Sequence, residues 1–215
     1  MARQKRITYT TTNTYHTLNT ITKDTENIWF VIHGLGYLSK YFIKHFEPLD
    51  AKKNFIVAPQ APSKYYQDKA YKYVGACWLT REERDLEMEN NINYLNTLYI
   101  KEIEPYLTEG RKLYLLGFSQ GVSILTRWLA RTQVDFKTLY LHSGKLPDNL
   151  SKKDFEFIKP GSKVEFVYGN NDELITEKRL KDEKNRLNDV FTDKIHICSF
   201  NGKHEFNSLI FNDLI

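Results

Sequence analysis

The sequence predicts an α/β protein: a mostly parallel central sheet with helices on both faces, an antiparallel hairpin at its start and no cap domain. Three observations predict it. Short apolar runs recur without the alternation of a half-solvated strand, which suits strands buried on both faces. Between them lie segments whose apolar residues fall three and four apart, the spacing of a helix face. Strand-like and helix-like segments then take turns along the chain, which requires crossover connections and hence parallel pairing.

Residues 6–11 and 14–18 alternate around Asn13 and read as a β-hairpin or two edge strands. Buried runs follow at 27–32, 54–58, 112–116, 137–141, 163–168 and 193–200. Residues 85–107 form the clearest helix, with Ile92, Leu95, Tyr99, Ile103 and Leu107 on one stripe. A second runs over 119–131 with Ile124, Leu125, Trp128 and Leu129, and a charged surface helix over 175–189. The span 59–78 is the longest irregular stretch. Its Tyr65, Tyr66, Tyr71, Tyr73 and Trp78 suit either a site wall or a surface loop pinned by aromatics. Neither repeat nor low-complexity linker interrupts the pattern, so residues 1–215 read as a single domain.

Composition narrows the function classes. The chain has 215 residues, 31 Lys+Arg against 27 Asp+Glu, and 41% hydrophobic residues, the profile of a soluble globular protein. Its net charge of +4 is spread out, and basic residues sit among acids, as in Glu177-Lys178-Arg179-Leu180-Lys181-Asp182. That is a solvated helix face, not a phosphate-tracking stripe, so no nucleic-acid partner is expected. The longest apolar run, around Ile28 to Ile32, is far short of the roughly 20 residues of a membrane span. The basic start lacks an apolar secretory segment, which makes the cytoplasm the expected location. Cys77 and Cys198 are expected to be small hydrophobes, not a bridge.

The chemistry concentrates at Gly117-Phe118-Ser119-Gln120-Gly121, between a buried strand and an amphipathic helix. A turn that sharp leaves no room for side chains two positions either side of the serine, and it leaves the hydroxyl projecting. With ten Gly and nine Ser in the chain, such a pentapeptide arises by composition about 2% of the time. A serine hydroxyl attacks only when an imidazole takes its proton and a carboxylate orients that imidazole. Both partners are expected in loops after later strands, in the order acid, then histidine. Asp172 follows the strand at 163–168, with Glu173 as the competing acid, and His204 follows the last strand. His142 and His196 lie in or beside predicted strands and read as structural. The oxyanion donors are expected to be the backbone N–H groups of Gln120, at the helix start, and Leu35, in the loop His33-Gly34-Leu35-Gly36. That loop also resembles a dinucleotide fingerprint, but Ser39 replaces the third glycine and no acid ends the next strand. No zinc-type His/Cys spacing is present, and neither a metal nor a cofactor is called for.

Seven ordered segments resemble the α/β-hydrolase superfamily, and within it the small carboxylesterase/phospholipase group that includes acyl-protein thioesterases. They are His33-Gly34-Leu35-Gly36, Ala58-Pro59-Gln60-Ala61-Pro62, Cys77-Trp78-Leu79, the Ser119 pentapeptide, Ser143-Gly144-Lys145-Leu146-Pro147, Gly169-Asn170-Asn171-Asp172 and Gly202-Lys203-His204-Glu205. The resemblance implies an α/β-hydrolase fold, with Ser119 as nucleophile, Asp172 as acid, His204 as base, and Leu35 with Gln120 as oxyanion hole. Two departures bear on substrate: Tyr37 stands where the group usually has an acidic or amide residue, and Ile175-Thr176 replaces a hydrophobic-Pro pair. Residues 141–163 are too few for a cap domain, so an open cleft is expected, with Trp78 as a substrate contact. The expected activity is carboxylesterase, acting through an acyl-enzyme on a small-molecule ester, from a monomer or homodimer. Alternatives are a thioesterase or lysophospholipase on the same fold, a catalytically silent binding protein, and a nucleotide-binding domain.

Overall fold

The computed structural model describes residues 2–107 and 110–211. Nine strands form: β1 (Tyr15–Leu18), β2 (Asn27–Ile32), β3 (Asn54–Pro59), β4 (Ser63–Tyr66), β5 (Val74–Cys77), β6 (Lys112–Phe118), β7 (Thr138–His142), β8 (Lys163–Gly169) and β9 (Ile195–Phe200). Seven make one sheet in the order β1-β3-β2-β6-β7-β8-β9, while β4 and β5 pair by themselves. Every neighbour in the large sheet is parallel except β1, which runs antiparallel to β3. All six residues of β2 and all six of β3 are buried, which is why each strand is apolar throughout after its opening asparagine.

The two faces are covered unequally. Helices α2 (Arg84–Glu102), α3 (Gln120–Thr132) and α4 (Glu177–Phe191) all pack on one face, against Phe30, Leu115, Leu139 and Phe166. Each such large side chain contributes about 1.5–3 kcal/mol on burial. On the other face Trp29 stacks on Tyr114 and Tyr140, with ring centroids 4.6 and 5.8 Å apart. The cover there is short: helix α1 (Ser39–Phe42), a 3-10 turn at Ile43–Phe46 and another at Ser208–Phe211. Helices do flank both faces as expected, but the three long ones share one side.

Three expectations need correction. The N-terminal hairpin does not form: residues 15–18 make β1, which pairs antiparallel with β3, but residues 6–11 form no strand, and Ile7 and Tyr9 stand exposed. A stretch of alternating Thr and Tyr presents too little apolar surface to hold itself on the β1 edge. The span 59–78 is not irregular throughout, because it contains the antiparallel pair β4-β5. The long helix expected to reach residue 107 ends at Glu102. Pro105, which lacks an N–H, sits in the 3-10 turn that follows. Among the described residues no helix is long and apolar enough to cross a membrane. Cys77 and Cys198 are both free thiols.

Parallel strands end at the same rim. Ile32 of β2 lies beside Gly117 of β6, His142 of β7 beside Val167 of β8, and Gly169 of β8 beside Phe200 of β9. The loops leaving these ends therefore meet, and Leu35, Ser119, Gln120, Asp172 and His204 all lie on or beside them, whereas Trp78 follows β5.

Candidate active site

Ser119 is the only residue between β6 and α3, and its backbone sits at φ 52°, ψ −119°. Positive φ in a residue with a Cβ stores about 1–3 kcal/mol of strain, so neighbours must hold it. Its N–H donates to the His142 carbonyl at 2.8 Å, and its carbonyl accepts from the Val122 N–H at 3.0 Å. The flanking glycines answer a steric demand: a Cβ on Gly117 would come within 2.7 Å of Val122 Cα, and one on Gly121 would overlap the Ile32 carbonyl.

Three distant stretches of chain converge on this turn. His204 Nε2 lies 2.9 Å from Ser119 Oγ, and His204 Nδ1 lies 2.7 Å from Asp172 Oδ2. The Asp172 side chain is fully buried, and its other oxygen accepts the Leu174 N–H at 2.9 Å. A buried carboxylate beside Nδ1 fixes the proton there, which leaves the Nε2 lone pair facing the serine hydroxyl. The competing acid, Glu173, points outward, 83% exposed and 3.7 Å from Lys203.

The loop after β2 is pinned from several sides. His33 is fully buried, its Nδ1 2.8 Å from the Gly34 carbonyl and its Nε2 accepting the Ala61 N–H at 3.1 Å. Those partners place its proton on Nδ1, and burial lowers its pKa to about 4, so it stays neutral. Gly36 donates to the Ala76 carbonyl at 2.9 Å and accepts from the Gln67 side chain at 2.8 Å. The Leu35 side chain consequently faces outward, 54% exposed. The N–H of Gln120 opens α3, where a helix leaves its first-turn donors without internal partners.

Trp78, expected as a substrate contact, does not line the cleft beside Ser119. It is 0% exposed, and its Nε1–H donates to the His33 carbonyl at 2.8 Å. Its backbone N–H donates to the Gln120 side-chain carbonyl at 3.0 Å, and the Gln120 amide in turn donates to the Leu79 carbonyl at 2.9 Å. Trp78 thus ties the His33 loop to the serine turn from beneath. An aromatic count marks such a residue as large; only the fold shows which side of the loop it lies on. His142, read as structural, is buried, accepts the Asn207 N–H at 3.0 Å and stacks on Phe206, which anchors the chain just after His204. The sequence marks His142 as structural without naming its partners, and it gives no sign of the support from His33, which looks like an ordinary strand-end residue. The tyrosines of the β4-β5 hairpin do not line the cleft.

Beside Ser119 and His204 opens a cleft of about 700 Å³. Phe166, Leu174 and Ile175 supply apolar wall, but Ser123, Lys145, Asp148, Arg179, Glu183 and Arg186 also line it. The charges are tied together: Lys145 and Arg186 each pair with Asp148 at 2.7 Å, and Glu183 accepts the Leu146 N–H at 2.7 Å. Burial pushes the Glu183 carboxyl above its ordinary pKa.

No protein-family model matches the sequence, and no curated protein does. Solved structures do. Acyl-protein thioesterase 2 from Zea mays superposes with a TM-score of 0.68 at 16% identity, covering 94% of this chain and 96% of its own. A carboxylesterase from Bacillus cereus gives 0.65 at 13% identity, with 91% and 88% covered. A phospholipase/carboxylesterase from Dyadobacter fermentans gives 0.63 at 16%, with 96% and 97% covered. The chain has an α/β-hydrolase fold. In this α/β-hydrolase fold the serine turn sits at the centre of the sheet and the acid and imidazole loops lie toward one edge. The Ser119 turn is therefore held by the core, and the Asp172 and His204 loops by the rim.

Proposed function

We propose that the protein is a serine hydrolase that cleaves carboxylic esters through an acyl-enzyme. The row Ser119 Oγ, His204 Nε2, His204 Nδ1, Asp172 Oδ2, with spacings of 2.9 and 2.7 Å, carries this reading. Ser119 Oγ adds to the ester carbonyl as its proton passes to Nε2. The resulting oxyanion lies against the N–H groups of Gln120 and Leu35, and each such donor is worth about 3–4 kcal/mol of barrier. Collapse expels the alcohol, which takes the proton from His204. A water then adds to the acyl-enzyme, gives its proton to Nε2, and the carboxylic acid leaves with Ser119 restored. Asp172 holds the imidazole and stabilises its transient positive charge.

The charged cleft wall and the lack of a cap domain between β7 and β8 favour a small, soluble ester over a long acyl chain in a lipid aggregate. Two free cysteines favour action in a reducing compartment such as the cytoplasm. Thioester hydrolysis by the same groups is the second reading, favoured by the likeness to the maize thioesterase. Short nitrophenyl esters and matched acyl thioesters, assayed side by side, separate the two. Ser119→Ala should lower turnover of whichever is cleaved by about 10³-fold or more, and a fluorophosphonate should label the unaltered protein but not this variant. Unchanged turnover in Ser119→Ala rejects the mechanism, and failure of the unaltered protein to label makes the fold a binding module.

A further inference from the structure

On the sheet face away from the three long helices, at the β9 edge, lies a cluster the hydrolase chemistry does not use. His196 and Cys198 are two apart on β9, so their side chains share a face. Glu165 of β8 is the register partner of His196 and shares that face. His196 Nδ1 lies 2.7 Å from Glu165 Oε2. One ligand atom from each of the three residues, imidazole N, thiol S and carboxylate O, falls within 4.8 Å of the other two.

We propose that Glu165, His196 and Cys198 bind a divalent cation of the zinc class. The donor set decides the class. Thiolate and imidazole together select zinc-like ions, whereas magnesium and calcium take oxygen donors. A tetrahedral ion with bonds of about 2.0–2.3 Å needs donors about 3.3–3.8 Å apart. The Glu165 and His196 donors lie 2.7 Å apart and all three ligand atoms lie within 4.8 Å of one another, so side-chain shifts of about 1–2 Å reach that geometry. On binding, the thiol gives up one proton to the solvent, and the carboxylate and imidazole coordinate through lone pairs. Glu165 is 18% exposed and His196 69% exposed, so the site opens outward and leaves the fourth position to water. The ion would clasp edge strand β9 to β8, and it lies apart from the Ser119 cleft, none of whose lining residues belong to the cluster.

The test uses the full chain, reduced and stripped with a chelator, titrated with zinc by calorimetry and with cobalt by absorbance. One ion per chain with a dissociation constant of about micromolar or tighter is expected, and cobalt should give a near-ultraviolet thiolate charge-transfer band. Cys198→Ser should abolish that band, and His196→Ala, at an exposed side chain that folding does not need, should weaken zinc binding roughly tenfold or more. Cys77→Ser and Ser119→Ala should change neither. Absence of binding at about 100 μM zinc, a band that survives Cys198→Ser, or a zinc affinity untouched by His196→Ala overturns the proposal.

Discussion

Asp172 is buried with both carboxylate oxygens engaged, one by His204 Nδ1 and one by the Leu174 N–H. Asp172→Asn keeps the size and the Leu174 contact but lets the amide donate toward Nδ1, which favours the wrong imidazole tautomer. Turnover should fall by about 10⁴-fold while the melting temperature stays near that of the parent, which steady-state kinetics and calorimetry together would show. Trp78→Phe keeps a ring beneath the loop and removes the donor to the His33 carbonyl. The loop then loses one buried tie, worth about 1–3 kcal/mol. If that loop supplies an oxyanion donor, kcat should drop roughly tenfold with KM little changed; a change confined to KM would place Trp78 in substrate binding after all. Gly121→Ala meets backbone, not a flexible side chain, so it should prevent soluble folding, whereas Ser119→Ala should not.

At the scale of elements, the parts of the sequence that could be read are those where one requirement dominates. β2, β3 and β6 were legible because burial on both faces leaves only apolar residues, and α3 because its apolar stripe must meet the sheet. The turn at Ser119 was legible because sterics restrict two positions to glycine. The pair β4-β5 was hidden because all four residues of β4 are exposed, so no periodicity betrays it. Residues 6–11 misled because alternation suggests a strand even where no apolar partner exists. The described side-chain ties of residues 2–11 are exposed and polar, from Gln4 and Arg6 to Glu83. Such contacts contribute little, so a chain lacking residues 2–11 should melt at the same temperature and keep whatever rate of ester hydrolysis the full chain shows. A drop in either would mean that this segment docks in a way its exposure does not suggest.

For the whole molecule, burial of two neutral histidines sets the acid limit of stability. His33 has its pKa lowered from 6.5 to about 4, and His142 from 6.5 to about 3, both chiefly by desolvation. Below pH 6.5 the unfolded chain binds protons that the folded chain refuses, so stability is full above that pH and falls as the pH is lowered toward 4 and then 3. The slope is on the order of 1.4 kcal/mol per pH unit for each histidine. Urea melts between pH 7.5 and 5, above the carboxylate range, should show it, and His33→Gln should halve the loss; a flat profile would mean that one of these sites opens to water. The uneven cover of the sheet has an effect on heating. The face opposite the long helices rests on α1 and two 3-10 turns, and the segment carrying His204 consists of turns between β9 and the second of them. Regions held by so little regular structure open at lower free energy than the core. Amide deuteration should therefore reach residues 201–211 well before α2 or α3. A sample warmed slowly should then lose its imidazole from the serine, and its hydrolysis with it, some degrees before circular dichroism records any melting of the sheet.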